Sequence, residues 1–223
     1  MFHNAAPKHV DLTYHDIAVP VPRVLHECPG VEVAGRLIRS LVFSTDVALI
    51  GHCDADAVFA VYPFASLPAI MQSLVIAAER PVFAGVGGGV TSGERSVELA
   101  LHAEMHGIAG VVLNATAKVD TISLIASHVD IPVVLTVCEL TDAARAQIAA
   151  GASIVNVAAG RNTARVLAEV RDAYPAMPVI ASSGPTEETA AATLTAGADA
   201  LTWTPPNIQD IERALMRKNR AEE

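Results

Sequence analysis

Three apolar runs open with Pro-Val: Pro81-Val82-Phe83-Ala84, Pro132-Val133-Val134-Leu135 and Pro178-Val179-Ile180-Ala181. Between or before them stand runs introduced by glycine or by a small-residue and Asp step: Asp54-Ala55-Asp56-Ala57, Gly107-Ile108-Ala109-Gly110, Gly151-Ala152-Ser153-Ile154 and Gly197-Ala198-Asp199-Ala200. The prolines lie 51 and 46 positions apart and the glycines 44 and 46, so the repeating unit is two strands and two helices. A proline suits a strand start, where its missing N–H costs no ladder bond. A glycine after an alanine-rich amphipathic segment suits the left-handed position that ends a helix. Segments 92–106, 142–150, 162–174, 186–196 and 207–217 open with Ser, Asp, Asn or Thr and show helical apolar spacing. One further strand at 40–44 makes eight, and the 184 residues from Ser40 to Glu223 then give 23 per unit. The pattern predicts an α/β protein, a single-domain (β/α)8 TIM barrel over residues 40–223. An open doubly wound sheet would break the rhythm at a switch point, and no break is visible. Residues 1–39, with Pro7, Pro20, Pro22, Pro29 and four of the eight histidines, lie outside the repeat. They read as an irregular N-terminal extension, either a cap on the barrel floor or an arm to a second subunit, with a lid as the alternative.

Charge narrows the partners. With 15 Lys plus Arg against 24 Asp plus Glu, the net charge of -9 repels phosphate backbones and anionic lipid. No nucleic-acid or membrane partner is expected. The apolar stretches fall short of the roughly 18 residues of a membrane span, and the opening residues lack a signal-peptide core, so a cytoplasmic location is expected. Cys28, Cys53 and Cys138 show no metal-ligand spacing. No metal and no cofactor is expected. Apolar helices of this kind suggest a homo-oligomer.

Side chains alternate across a strand, which sorts each strand into an inward and a helix-facing set. The expected inward set is polar: Ser44 and Asp46 on the first strand, Ala60 and Tyr62 on the second, Val112 and Asn114 on the fourth, Thr136 and Cys138 on the fifth. Asn156, Ser182, and Thr202 with Thr204 continue it on the sixth, seventh and eighth. The helix-facing set, including Phe43, Phe59, Val61, Leu135 and Val155, is apolar. A single Thr or Asn in this set could simply satisfy a neighbour inside the barrel. Eight strands growing polar toward one rim point instead to a ligand pocket at the C-terminal end, where barrel enzymes hold their sites.

Three loops on that rim feed helix N-termini, whose free N–H groups favour anions. They are Ser182-Ser183-Gly184-Pro185-Thr186, the glycine-dense stretch from Gly85 through Gly87, Gly88 and Gly89 to Gly93, and Ala159-Gly160-Arg161-Asn162-Thr163. Arg161 has the fork to clamp a phosphate or carboxylate. The last quarter, PVIASSGPTEETAAATLTAGADALTWTPP, resembles the ribulose-phosphate-binding barrels, a group that includes sugar-phosphate epimerases and keto-deoxy sugar acid aldolases. The runs SLVFSTD, AVYPF, FAGVGGGVT, NVAAGRNT and SSGPTEE are similar to a small bacterial family of barrels often labelled only as hydrolases. The group's usual phosphate glycine after the eighth strand is replaced here by Thr204-Pro205-Pro206, and two prolines donate no N–H.

The resemblance implies an enzyme of isomerase or lyase type acting on a small anionic metabolite, phosphorylated or carboxylated. A hydrolase and a non-catalytic ligand-binding barrel are the alternatives. Asp46 is the expected acid/base. Asn114, Asn156 and Thr136 are expected to orient substrate, and Cys138 is the candidate nucleophile of a hydrolase. Tyr62, Gly87, Gly88, Gly160, Arg161, Ser182, Ser183, Gly184, Thr186 and Thr204 are the expected binding residues. A Schiff-base aldolase needs an amine inside the barrel, yet the only lysines are Lys8, Lys118 and Lys218. Lys118 falls beyond the fourth strand, where a surface role suits it better. His52, Cys53, Asp54 and Asp56 form a tempting metal cluster, but they precede the second strand and belong to the opposite face.

Overall fold

The computed structural model describes residues 19–221. A 3-10 turn at Arg23–Glu27 leads into a hairpin of β1 (Val31–Val33) and β2 (Arg36–Ile38). Eight further strands follow, each ahead of a helix: β3 (Ser40–Val42) and α1 (Val47–Gly51), β4 (Ala57–Ala60) and α2 (Pro68–Ala78), β5 (Val82–Gly87) and α3 (Glu94–Met105), β6 (Gly110–Leu113) and α4 (Val119–Ala126). The second half repeats the order with β7 (Val133–Val137) and α5 (Asp142–Ala149), β8 (Ile154–Val157) and α6 (Thr163–Ala173), β9 (Val179–Ser182) and α7 (Glu187–Thr195), β10 (Ala200–Trp203) and α8 (Ile208–Ala221). A second 3-10 turn, Gly160–Asn162, sits between β8 and α6. Strands β3 to β10 pair in parallel and β10 closes onto β3, forming the closed barrel that the repeat predicts.

The punctuation acts as the sequence implies. Gly107, Gly151 and Gly197 take φ of +83°, +133° and +104° just after their helices. The polar residue two positions after Gly151 and Gly197 has a specific task. Ser153 Oγ accepts from Val133 N at 2.8 Å, and Asp199 Oδ2 accepts from Val179 N at 2.8 Å. Asp56, in the equivalent step before β4, takes Ser40 N at 3.0 Å. In each case the side chain before one strand holds the first amide of the strand before it, an amide the barrel ladder leaves open. Arg171 of α6 completes the tether at Asp199, donating to Oδ2 at 2.7 Å and to Gly197 O at 2.8 Å. Asp54 Oδ1 likewise accepts from Val21 N at 2.6 Å. The His52 to Asp56 cluster is therefore part of the barrel floor, bound to backbone amides.

Two apolar layers result. Val58, Val111, Leu135 and Val155 pack outward against α-helical residues such as Leu74, Ile122 and Val166. Leu41, Phe59, Phe83, Val112, Val134, Ile154 and Ile180 fill the barrel itself, joined by Val31, Val33 and Ile38 of the hairpin. The hairpin thus closes the floor. Its two-residue turn places Ala34 and Gly35 at φ of 51° and 75°, the paired positive values that fit the strand twist. Burying a side chain such as Phe83 contributes about 2 kcal/mol.

The inward set matches expectation from β6 to β10 except at Cys138, which lies exposed just past the end of β7, and it differs on β3 and β4. There Phe43, Phe59 and Val61 face the barrel axis, while Val42, Val58 and Ala60 face the helices. On β3 the reason is length: the strand ends at Val42, so Ser44 and Asp46 lie in the loop, where strand alternation no longer applies. On β4 the two faces are exchanged within the strand itself, Phe59 turning inward and Ala60 outward, and Tyr62 lies in the loop beyond. The interior of a barrel is also a packed core that accepts bulky apolar groups.

Candidate functional site

At the C-terminal end of the strands lies a central pocket of about 240 Å³. Phe43, Phe59 and Val61 form its apolar wall, with the two phenyl centroids 6.2 Å apart. Asn114, Thr136, Asn156, Ser182, Thr202 and Thr204 supply its polar lining. Every polar group here is neutral. Asn156 is 4% exposed, and its Nδ2 donates to Thr136 Oγ1 at 3.2 Å across neighbouring strands. Its Oδ1 has no hydrogen-bond partner among the described residues. Asn114 Oδ1 accepts from Ala115 N at 2.7 Å, which fixes the amide at the rim.

Two further depressions adjoin the central pocket. The first, about 210 Å³, shares Val61 and Asn114 with it and is lined by Tyr62, Phe64, Ser66, Gly85, Gly87, Gly89 and Val90. Its glycine loop is pinned at the base. Gly87 O accepts from Asn114 N at 3.0 Å, Gly88 N donates to Thr91 O at 3.1 Å, and Thr116 Oγ1 donates to Gly88 O. A register shift between Gly85 and Gly87 turns the loop away from the ladder. Tyr62 Oη accepts from Leu67 N at 3.0 Å. The second depression, about 460 Å³, shares Ser182 with the centre and runs between the N-termini of α6 and α7. Gly160, Arg161, Ser183, Gly184 and Thr193 line it. Arg161 is exposed and has no ion-pair partner among the described residues.

The structure therefore brings together Asn114, Thr136, Asn156, Ser182 and Thr204, with Tyr62 and Gly87 in one arm and Gly160, Arg161, Ser183 and Gly184 in the other. It leaves four expected residues outside the linings. Asp46, half-buried, caps α1 by accepting from Leu49 N at 2.9 Å. Cys138 is an exposed free thiol just past β7. Gly88 packs its backbone against Asn114. Thr186 caps α7 in a reciprocal pair with Thr189. The first turn of α7 also carries Glu187 and Glu188, and a hydrogen bond from the Thr186 side chain holds the Glu188 carboxyl below its usual range. These acids compete with any bound anion for the amides of α7, which leaves Arg161 as the cation of that groove. The aromatic wall escaped the sequence reading, since nothing in a lone Phe marks which way a three-residue strand turns it.

A larger depression, about 720 Å³, is elsewhere, on the floor between the hairpin and the ends of α2 and α3. Two of its charged residues, Arg80 and Glu104, already hold backbone. Arg80 Nη1 donates to Cys53 O and to Ala55 O at 2.6 Å, and Glu104 Oε1 accepts from Asp130 N at 2.6 Å. Floor residues of a barrel serve stability, and we assign no ligand there.

The architecture defines a TIM barrel whose mouth has a neutral central pocket. No protein-family model matches the sequence, and no curated protein matches it. Among solved structures it is similar to a phosphoenolpyruvate phosphomutase from Streptomyces platensis subsp. rosaceus, with a TM-score of 0.66 at 18% identity over 89% of this chain and 85% of that one. It is similar to 2,3-dimethylmalate lyase, a member of the PEP mutase/isocitrate lyase superfamily, with a TM-score of 0.59 at 17% identity over 90% and 84%. Phosphonopyruvate hydrolase in complex with oxalate and magnesium gives 0.60 at 12% identity over 81% and 79%. At these identities the likeness is one of fold. The barrel expected from the repeat is shared, and these neighbours do not carry the ribulose-phosphate-binding type in particular. A magnesium ion favours carboxylate oxygens. The central pocket offers only amide and hydroxyl groups, and the described residues hold no cluster of three His, Cys, Asp or Glu suited to a metal, so this lining does not fit such an ion. Among the described residues no helix is long and apolar enough to cross a membrane.

Proposed function

We propose that the protein is an enzyme of lyase or isomerase type that holds a small carboxylated or phosphorylated metabolite in the cleft at the barrel mouth. The observation that carries this reading is continuity: Asn114 and Ser182 each line two depressions, so three pockets form one bent site. Asn114, Thr136 and Asn156 orient the substrate, and Arg161 takes its anionic end. Amide and hydroxyl groups fixed around the apolar wall stabilise charge that develops on a substrate oxygen, with little water present to compete. Proton transfer falls to the rim. Asp46 follows Phe43 of the pocket wall by three residues; one oxygen of its carboxylate is in the α1 cap, and the second has no hydrogen-bond partner among the described residues.

A non-catalytic ligand-binding barrel is the second reading, favoured by the lack of any ionisable side chain in the lining of the central pocket. The test is a thermal-shift panel of lactate, pyruvate, malate, oxaloacetate, 2,3-dimethylmalate, phosphonopyruvate, glycerol 3-phosphate and inorganic phosphate, since a ligand of the folded state raises its melting temperature. The proposal expects stabilisation by at least one organic acid, weakened in Arg161→Ala. Stabilisers are then followed for turnover, and an unchanged ligand after prolonged incubation favours the second reading. No stabilisation by any compound contradicts both.

A further inference from the structure

Resting on the reading of the mouth as a substrate site, we infer that Asn156 is its specificity-determining residue and selects a substrate bearing a hydroxyl, rather than a ketone oxygen, at the end that enters the barrel. The polar lining is rich in donors: the hydroxyls of Thr136, Ser182 and Thr204 and the amide of Asn114. Asn156 Oδ1 differs. It is buried in a residue that lines the pocket from β8, and among the described residues no group donates to it. Its own Nδ2 donates to Thr136 Oγ1, so in this orientation Oδ1 is the amide atom left without a partner. A buried acceptor without a donor is costly, and a ligand O–H that reaches it removes the cost.

A ketone oxygen has no hydrogen to give and meets the Asn156 oxygen as one acceptor facing another. A hydroxyl both donates and accepts, so it pairs with Oδ1 here and with Thr136 Oγ1 beside it. The flanking wall of Phe43, Phe59 and Val61 strengthens the preference by keeping bulk water from offering a substitute donor. Ser182 connects this pocket to the groove of Arg161. The selected class is thus a hydroxylated acid, its hydroxyl end inward and its anionic end toward Arg161.

Matched pairs test this. Binding of lactate against pyruvate and of malate against oxaloacetate is measured by calorimetry on the unmodified chain and on Asn156→Leu. The hydroxy acid of a pair is expected to bind roughly tenfold or more tightly than its oxo partner, the scale set by one unpaired buried group. In Asn156→Leu the ratio is expected to fall to near one, while far-UV circular dichroism stays that of the parent. Asn156→Ser serves where the leucine is not accommodated, and the ratio on the unmodified chain stands without either variant. Equal or tighter binding of the oxo acids overturns the inference and leaves the substrate site in place. A preference that survives in Asn156→Leu and Asn156→Ser removes the role from Asn156. Binding of neither member of either pair overturns the substrate site and the inference with it.

Discussion

Asp46 accepts a hydrogen bond from the backbone amide of Leu49 at 2.9 Å and so caps the short helix that follows the first barrel strand. Asparagine caps a helix as well as aspartate does, whereas alanine forfeits about 1 kcal/mol. Asp46→Asn is therefore expected to leave the melting temperature within about 1 °C of the parent and Asp46→Ala to lower it by roughly 3 °C. On a ligand that turns over, Asp46→Asn is expected to abolish turnover without weakening binding. Undiminished turnover would leave Asp46 a cap and nothing more.

Gly88 sits at φ +86°, and a Cβ there would come within 2.7 Å of both the N and the O of Asn114. Neither is the end of a flexible side chain. Gly88→Ala is expected to cost roughly 2 kcal/mol and to weaken every ligand of the mouth, because the displaced backbone carries Asn114. Denaturant unfolding and calorimetry measure the two effects separately. A variant of parental stability and affinity would show that the glycine loop is not fixed to β6 as described.

The floor makes the converse prediction. Asp199 joins Val179 N and Arg171 Nη2, so Asp199→Ala is expected to lose roughly 2 kcal/mol. Ligand affinity at the mouth is expected to remain unchanged, because the tether lies at the opposite end of the strands. Equilibrium unfolding and calorimetry check both halves, and a loss of affinity with intact stability would argue that the floor and mouth are coupled.

The thiols separate by burial. Burial pushes Cys28 up to about 11 and raises Cys53 above its ordinary value, while Cys138 is exposed. One thiol is expected to react rapidly with a maleimide in the native protein at pH 8, and three after unfolding. The unfolded chain releases the Cys28 proton near 9.0, but the folded chain keeps it to about 11. Stability linked to Cys28 is thus fully present below pH 9 and is lost as pH rises through 11. Cys28→Ser, with a similar small side chain, is expected to flatten that alkaline decline. Rapid labelling of two or three thiols in the native state would contradict the burial.

How far the sequence could be read depended on strand length. Pro81, Pro132 and Pro178 mark strand starts, and Gly107, Gly151 and Gly197 mark helix ends. Both follow from backbone chemistry that no tertiary contact overrides, so the barrel and its rim were legible. From β6 onward alternation ran far enough for Asn114, Thr136, Asn156 and Ser182 to be placed inward. On β3 it runs out before Ser44, while on β4 the two faces are exchanged, Phe59 turning inward and Ala60 outward, because the packed interior of a barrel accepts bulky apolar groups that polarity does not mark. The hairpin Val31 to Ile38 is not legible in the sequence, because Arg36-Leu37-Ile38 does not alternate and the Ala34-Gly35 turn lacks the Asn-Gly or Asp-Gly signal that usually announces one. The first 18 residues, with His3, His9 and His15, lie outside the described residues.

The central claim is that ligand enters the mouth of the barrel and not the larger depression on its floor. Side-chain amide signals of Asn114 and Asn156, followed by 1H–15N correlation spectra during titration with a stabilising acid, test it directly. The account predicts saturable shifts of both, with the Asn156 signal moving most and the backbone signals of Arg36, Glu79 and Ile131 at the floor unmoved. Shifts confined to those floor residues, with Asn156 unchanged at saturation, would contradict it.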